Sequence, residues 1–445
     1  MYLDEHNFID DAKELTILGR NDLAKGIGWP LILNKAILLN GMDMTFLFRI
    51  PILFGSLATF IVFMITYLLT KKELFSLIAS LISITHLSNI YWSVSLETNI
   101  ASYFFFYLCI LSYIIYFKNP GIKLFLFSIV LTGFTSLIRP ENHILFFFFF
   151  LGILLFNKET IRNKMTSKAI FTILIVLLII PNFILFLEFY TNIYQKDNNE
   201  GIYLDNLKYN TKEYAINIIN DNWQPLLIFP FFILGFIFYI KKDPKITIYF
   251  FTIILMLYLI YFSYGLEETG APHRYYFVFY PIFSFFITSF FIDLKKLNYK
   301  IIKNFHLFTM LIFILIIFID FGGSYYEMYN DQRPNHRMNA YMPQRIEESL
   351  PDNSIIITHE PILFTTTELE LVSNMDELKN IKNLKDRSLF YYNKTNFEKS
   401  IKDDLKIEVR EKFDFEEVSV NLTRKDIHYK ETLYRLTEKD RITSP

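Results

Sequence analysis

The stretch Phe146-Phe147-Phe148-Phe149-Phe150 is five phenylalanines in a row, inside an apolar run at 143–156. A later run, Ile173–Ile180, is wholly apolar. A membrane-spanning helix needs about 20 mostly apolar residues, and comparable runs recur on both sides of these two. Ten candidate spans result: 44–69, 74–91, 98–117, 122–138, 143–156, 169–190, 223–240, 246–264, 275–292 and 304–320. The pattern predicts an all-α polytopic membrane domain over residues 44–320, in which the short run at 143–156 is tilted or supported by its neighbours.

Charged residues are distributed unevenly along the 445 residues. The chain has 44 basic and 45 acidic side chains, and residues 331–445 hold 41 of them, so the first 330 residues are depleted in charge. This composition excludes a soluble single-domain enzyme and a disordered chain. The net charge of −1 gives no nucleic-acid signal, and the single cysteine, Cys109, excludes an intrachain disulfide or a cysteine-cluster metal site.

Lysine and arginine alternate from loop to loop. The loops near residues 71, 118–123, 158–168, 241–245 and 295–303 together hold 15 of them, whereas the alternate loops hold five. Because cytoplasmic loops carry the excess of positive charge, we expect the first set to be cytoplasmic. The N-terminal segment and the C-terminal part then lie outside a multi-pass cell-membrane protein.

The C-terminal part, residues 321–445, is typical of a small external soluble α/β domain. A turn at Pro351-Asp352-Asn353 separates a short helix from a buried-type strand. The predicted elements are a helix at 345–350 and strands at 354–358, 368–372, 388–392 and 418–422.

Ionisable residues near membrane depth are costly, which makes them functional candidates. Here they gather at the predicted outer face, in the N-terminal segment (residues 1–43), at helix entries and in outer loops. The set comprises Asp4, Glu5, Asp10, Asp11, Arg49, Glu97, Arg139, Glu141, Glu267, Glu268, His273 and Arg274. Carboxylates and arginines on one face can together deprotonate a hydroxyl and bind a phosphate.

Five motifs in this region resemble, in order and spacing, those of the GT-C glycosyltransferases. They correspond to the first external loop, an Arg-x-Pro helix entry, a second acidic loop, an Arg-Pro-Glu turn and an Arg-Tyr…Pro helix start. In this sequence they are Leu3-Asp4-Glu5-His6 with Gly26-Ile27-Gly28-Trp29-Pro30, then Phe48–Gly55, Tyr91–Thr98, Ile138-Arg139-Pro140-Glu141, and His273–Pro281. The similarity covers about residues 1–290. It is greatest to the protein O-mannosyltransferase and aminoarabinose transferase group with its archaeal relatives.

One departure from the family concerns the start of the chain. Members have a membrane helix before the Asp-Glu loop, whereas no apolar stretch precedes about residue 29 here. A start set too far downstream, a truncated chain and a true absence of that helix all stay open. An in-frame apolar stretch encoded upstream of Met1 would decide among them.

The resemblance implies an inverting sugar transfer from a polyprenyl-phosphate donor, dolichyl or undecaprenyl phosphate, to an acceptor hydroxyl on a protein, glycan or lipid. The lipid tail of such a donor stays in the bilayer, so the site should lie at the membrane surface. Asp4 is the implied base, with Glu5 beside it and Glu97 as a second acidic candidate. The alternatives are solvated N-terminal acids for Asp4 and Glu5, and a charge favoured by the helix dipole for Glu97.

The same resemblance implies arginines at the leaving phosphate, since a guanidinium is always charged and can bind two oxygens. Arg274, Arg49 and Arg139 are the candidates, with His273 assisting; as an alternative, each is an interfacial anchor. Tyr276 and Glu141 are candidates for the substrate pocket. No metal is required, although two nearby carboxylates can hold a divalent cation.

Two other classes of protein compete with this interpretation. One is a transporter or lipid flippase with an external sensor domain, and the other is a structural membrane subunit. Transporters often place broken helices and binding residues at the midplane, whereas these acids and arginines collect at one face.

Overall fold

A computed structural model describes most of the predicted membrane part and the strands of the C-terminal part. The described residues are 12, 27–41, 43–156, 207–211, 227–262, 276–294, 300–331, 346–351, 353–358, 369–372, 387–392, 412–424 and 427–438. The chain divides into two compact units, one of Leu15–Glu327 and one of Met328–Pro445 with Met1–Glu14.

The unit Leu15–Glu327 is helical wherever it forms regular structure in the described residues. Its helices are α1 (Gly28–Asn40), α2 (Met44–Thr70), α3 (Glu73–Ser83), α4 (Leu87–Ser93), α5 (Thr98–Lys118), α6 (Ile122–Ile138), α7 (Ile144–Phe156), α8 (Ile228–Lys242), α9 (Pro244–Phe262), α10 (Tyr280–Leu294) and α11 (Lys300–Asp331), the last running past the unit's end. Short 3₁₀ turns, Pro140–His143 and Phe277–Phe279, lead into α7 and α10.

Five of the described helices are long and apolar enough to cross a membrane, and a bent pair would make a sixth. The five spans are Thr45–Thr70, Thr98–Lys118, Pro244–Phe262, Phe277–Leu294 and Thr309–Tyr326, and α6 and the stretch Pro140–Phe156 are shorter apolar helices. The protein is therefore a multi-pass membrane protein. The predicted span at 169–190 lies outside the described residues, and the total of ten stays a prediction.

The predicted span at 74–91 is not one straight helix. It forms α3 and α4, which meet at an angle of 72°. At the break the side chain of Thr85 donates to the carbonyl of Ile82, and the ring of His86 accepts from the backbone N–H of Ser88, which caps α4. Polar side chains thus satisfy the backbone groups that the bend releases. The apolar run alone gave no sign of it, because it contains neither proline nor glycine.

Close helix contacts depend on small residues at two crossings. A Cβ on Gly235 of α8 would lie 2.0 Å from the carbonyl oxygen of Phe286 in α10, and one on Gly152 of α7 would lie 2.0 Å from the ring of Phe117 in α5. Helices in lipid associate by such close packing, since lipid tails are as apolar as the side chains. Aromatic rings fill the remaining space, as where Phe232 meets Phe283 at 4.3 Å between ring centroids.

The C-terminal ends of α2, α5, α8 and α10 lie together. The amine of Lys118 donates to the carbonyl of Leu68 near the end of α2 and interacts electrostatically with Asp243 after α8. Lys242 pairs with Asp293 near the end of α10 at 3.6 Å. We call this the lysine end, defined by Lys71, Lys118 and Lys242. Its residues belong to loops that the charge pattern predicts to be cytoplasmic.

The other unit contains a five-stranded mixed sheet in the order β2-β1-β3-β5-β4. Its strands are β1 (Ser354–Ile357), β2 (Glu370–Val372), β3 (Ser388–Tyr392), β4 (Phe413–Arg424) and β5 (Ile427–Glu438). β1 pairs in parallel with β2 and β3, while β5 pairs antiparallel with β3 and β4. The sheet contains all four strands predicted from the sequence and adds β5. Its position outside the membrane stays a prediction.

Candidate functional site

The N-terminal end of α5 carries a buried group of polar side chains, far from the lysine end. Glu97 is the N-cap of α5 and Lys118 is its last residue, so the two are separated by about 30 Å of helix. That length matches the hydrocarbon thickness of a bilayer. Glu97 and Lys118 are therefore placed at opposite membrane faces of one span.

Four of these side chains form a continuous chain of hydrogen bonds. The amide nitrogen of Asn99 donates to Oε2 of Glu97 at 2.8 Å, and its oxygen accepts from Nη1 of Arg139 at 2.7 Å. Nη2 of Arg139 pairs with Oε1 of Glu141 at 2.9 Å. Glu97 is only 7% exposed, and the Arg139 side chain 16%. We call these four residues, together with Asn142, the polar network.

The local sequence explains why Arg139 reaches this position. The residue before a proline avoids helical backbone angles, so α6 ends at Ile138 and Arg139 is extended before Pro140. The turn that follows is fixed by Asn142, which is buried. Its amide donates to Oγ of Ser102 at 2.9 Å and to the carbonyl of Thr135 at 3.1 Å. The Arg-Pro-Glu turn is thereby tied to both α5 and α6.

Helix α1 holds the two loops that carry the network. The indole N–H of Trp29, a fully buried side chain, donates to the carbonyl of Leu96, directly before Glu97. A Cβ on Gly28 would lie 2.8 Å from the backbone nitrogen of Ile138, directly before Arg139. Gly28 and Trp29, at the start of α1, therefore contact the backbone beside both charged residues.

The 3₁₀ turn that leads into α10 packs against α5, one helical turn beyond Asn99. Tyr103 lies four residues after Asn99 on α5, and its ring centroid is 4.9 Å from that of Phe277. The hydroxyl of Tyr107 donates to the carbonyl of Val278. Tyr276, a predicted pocket residue, is buried with its ring 5.9 Å from Phe262. A segment far away in sequence is thus brought beside the first turns of α5.

Apart from Tyr276, which is buried beside Phe262, the predicted site residues fall into three groups. Glu97, Arg139 and Glu141 come together in the polar network. Arg49 lies exposed on α2, and within the described residues no hydrogen bond or ion pair joins it to that network. Asp4, Glu5, His273 and Arg274 lie outside the described residues, so their convergence with Glu97 stays a prediction.

The network also contains two residues that sequence reasoning missed, Asn99 and Asn142. Sequence reasoning likewise missed the contact of the Trp29 indole with Leu96. Asn99 stands two residues after a candidate acid, but its partner Arg139 is forty residues away. Only a three-dimensional arrangement reveals such a pairing. The one available signal was that polar amides occur inside otherwise apolar helix ends.

The arrangement can orient a hydroxyl at a carboxylate and present a guanidinium beside it. A guanidinium has five N–H donors, and the two bonds to Asn99 and Glu141 use two of them. Three His, Cys, Asp or Glu side chains that could hold a metal ion do not come together anywhere in the described ranges. Because Asp4 and Glu5 lie outside those ranges, the metal requirement stays untested.

A comparison with solved structures shows which known fold the chain resembles. The chain is similar to ArnT from Cupriavidus metallidurans, in a crystal structure with bound undecaprenyl phosphate, with a TM-score of 0.55 and 10% sequence identity. The similarity covers 97% of this chain and 93% of ArnT. No family model and no curated protein matches the sequence. At the level of the fold, the likeness inferred from the five motifs is confirmed; the branch of the family stays a prediction.

Proposed function

We propose that the protein is a membrane glycosyltransferase of the GT-C type. It moves a sugar from a polyprenyl phosphate to an acceptor hydroxyl at the membrane face opposite the lysine end, with inversion at the anomeric carbon. The observation that carries this proposal is the fold likeness over nearly the whole of both chains to ArnT, which was crystallised with undecaprenyl phosphate. The buried polar network at one membrane face supports it independently.

The roles follow from the chemistry of each group. Asp4 accepts the proton of the attacking hydroxyl, Glu5 positions it, and Glu97 orients the acceptor or sugar. Arg274 binds the leaving phosphate, with His273 and Arg49 as further contacts, and Arg139 acts from within the network. Tyr276 and Glu141 border the sugar pocket. A guanidinium neutralises the departing phosphate, so transfer needs no divalent cation, and chelation by EDTA should leave the rate unchanged.

A transporter or flippase is the second candidate, because α3 and α4 form a broken helix and such breaks are common in transporters. The described residues of the break, Ile84, Thr85 and His86, include no Asp, Glu, Lys or Arg. A flippase would move the sugar lipid across the bilayer intact. A transferase breaks its sugar–phosphate bond.

The experiment tests whether the protein breaks the bond between the sugar and the phosphate of the donor. The purified protein is reconstituted in vesicles with a polyprenyl-phosphate sugar that carries tritium in the sugar and ³²P in the phosphate. Membrane acceptors from the source cells are then added. The proposal predicts that tritium moves to an acceptor while ³²P stays on free polyprenyl phosphate. Tritium and ³²P that stay together on a lipid changing leaflet would instead identify a flippase and overturn the proposal.

A further inference from the structure

Asn99 occupies the centre of the polar network and is buried. A carboxylate can only accept hydrogen bonds and a guanidinium can only donate them. The orientation of the amide is therefore fixed by its neighbours, with nitrogen toward Glu97 at 2.8 Å and oxygen toward Arg139 at 2.7 Å. Both ends of the amide are used.

Few other side chains could meet both demands. Aspartate has the same shape but no donor for Glu97, and leucine has neither donor nor acceptor. The residue type at this position therefore fits its two charged neighbours.

The Asn99 amide also determines how Arg139 and Glu97 are connected. Arg139 makes its ion pair with Glu141 at 2.9 Å, and it is linked to Glu97 through the neutral amide. We infer that Asn99 is a positioning residue for sugar transfer, which anchors Glu97 to the Arg139 turn. This inference rests on the proposed function.

The discriminating variant is Asn99→Asp, which keeps the size and places a second carboxylate beside Glu97. Like charge raises the pKa of a carboxyl, and Glu97 orients the acceptor or sugar in its carboxylate form, so the acid limb of the pH profile of kcat/KM should move to higher pH by about one unit. A merely structural role would lower the rate at every pH without moving that limb. In the described ranges, the other titratable or charged groups at this end of the elements packed around Glu97 are Arg139, Glu141, His143, His86, Lys35, Asp43, Arg49, Tyr91 and Tyr103.

Two further variants complete the test. Asn99→Ala removes hydrogen bonds to two charged groups and should lower kcat/KM about ten- to a hundred-fold. Asn119→Asp adds the same charge to an exposed asparagine at the other end of α5, and should leave both the rate and the acid limb in place. An acid limb that stays put in Asn99→Asp, or one that moves equally in Asn119→Asp, would overturn the inference.

A readout without activity separates this inference from the proposed function. In a double-mutant cycle of thermal unfolding in detergent, Asn99→Ala and Glu97→Ala should be less than additive, because both remove the same bond. Additive changes in Tm would overturn the bridging role. If the wild-type protein transfers no sugar, the proposed function fails, and the bridge is judged by this cycle.

Discussion

The two ends of the helical unit both carry charge, but they hold it differently. At the lysine end, Lys71, Lys118 and Lys242 are exposed, and their contacts are a carbonyl, tyrosine rings and one loose ion pair. At the other end, Glu97 is buried and Arg139 nearly so, and each has a short hydrogen bond to Asn99.

Membrane topology explains the exposed lysines, whereas the buried charges of the polar network need another explanation. An exposed lysine at a membrane face costs little and fixes orientation. A buried charge is costly unless hydrogen bonds and partners compensate it. The polar network keeps such charges in place, and the proposed sugar transfer at that end gives the reason.

The largest expected effect is that of Asp4→Asn, in protein to which any upstream helix has been restored. Asparagine keeps the size but cannot take a proton at neutral pH, so transfer should fall by about 10²–10⁴-fold while donor binding persists. Transfer of labelled sugar and donor-lipid binding are measured together. Wild-type transfer in this variant would move the role of base to Glu97 or Glu5.

A second variant compares the two ends directly. Glu97→Gln removes a buried charge from the network and should lower kcat about ten- to a hundred-fold, whereas Glu73→Gln removes an exposed one beside the lysine end and should have no effect. Initial rates at saturating donor decide. Equal rates for the two variants would erase the functional distinction between the ends.

Arg274→Ala should weaken donor binding as well as rate, because the lipid phosphate loses a charged partner. Arg274→Lys should recover only part of the loss, since an ammonium cannot make the two-pronged contact. The donor KM is the measurement. An unchanged KM in the alanine variant would transfer the phosphate contact to Arg49 or Arg139.

A smaller effect is expected from Gly28→Ala. The added Cβ meets backbone atoms of Leu137 and Ile138 at 2.8–2.9 Å, so α1 must shift, at a cost of about 1–3 kcal/mol in stability. Gly133→Ala is the matched control, since nothing lies within 4 Å of its added Cβ. Tm and transfer should both fall in the first variant only. A Gly28→Ala protein with wild-type Tm and rate would remove α1 as the support of the network.

The smallest effect belongs to the lysine end. Lys71→Gln with Lys72→Gln removes two exposed charges about one bilayer thickness from the proposed site. Transfer should stay within about twofold of wild type, because the proposed site lies beyond the distance over which a screened surface charge acts. A loss comparable to that in Glu97→Gln would place function at both ends.

Much of the helical fold was predictable because apolar runs report burial in lipid directly. The run at 122–138 is α6 to the residue, and 98–117 differs from α5 by one residue. Helix α1 was missed because it lies in a predicted loop and mixes Trp29 and Leu33 with polar positions. The bend between α3 and α4 was missed because side-chain caps, not proline or glycine, produce it.

The site was predictable only in part. Glu97, Arg139 and Glu141 were identified from residue type and from the motifs they resemble. Asn99 and Asn142 were not, because the hydrogen bonds that place them in the network join residues forty positions apart in the sequence. Strand β5 was missed because its apolar residues alternate with charged ones over only part of its length.

The central claim is that sugar is transferred at the network end and not at the lysine end. The most direct measurement is photo-crosslinking with a polyprenyl-phosphate sugar that carries a diazirine on the sugar, followed by peptide mass spectrometry. The account predicts adducts on the peptides around residues 95–99 and 139–142, reduced by excess unlabelled donor. Adducts confined to residues 68–73 and 118–123, with the same competition, would contradict it.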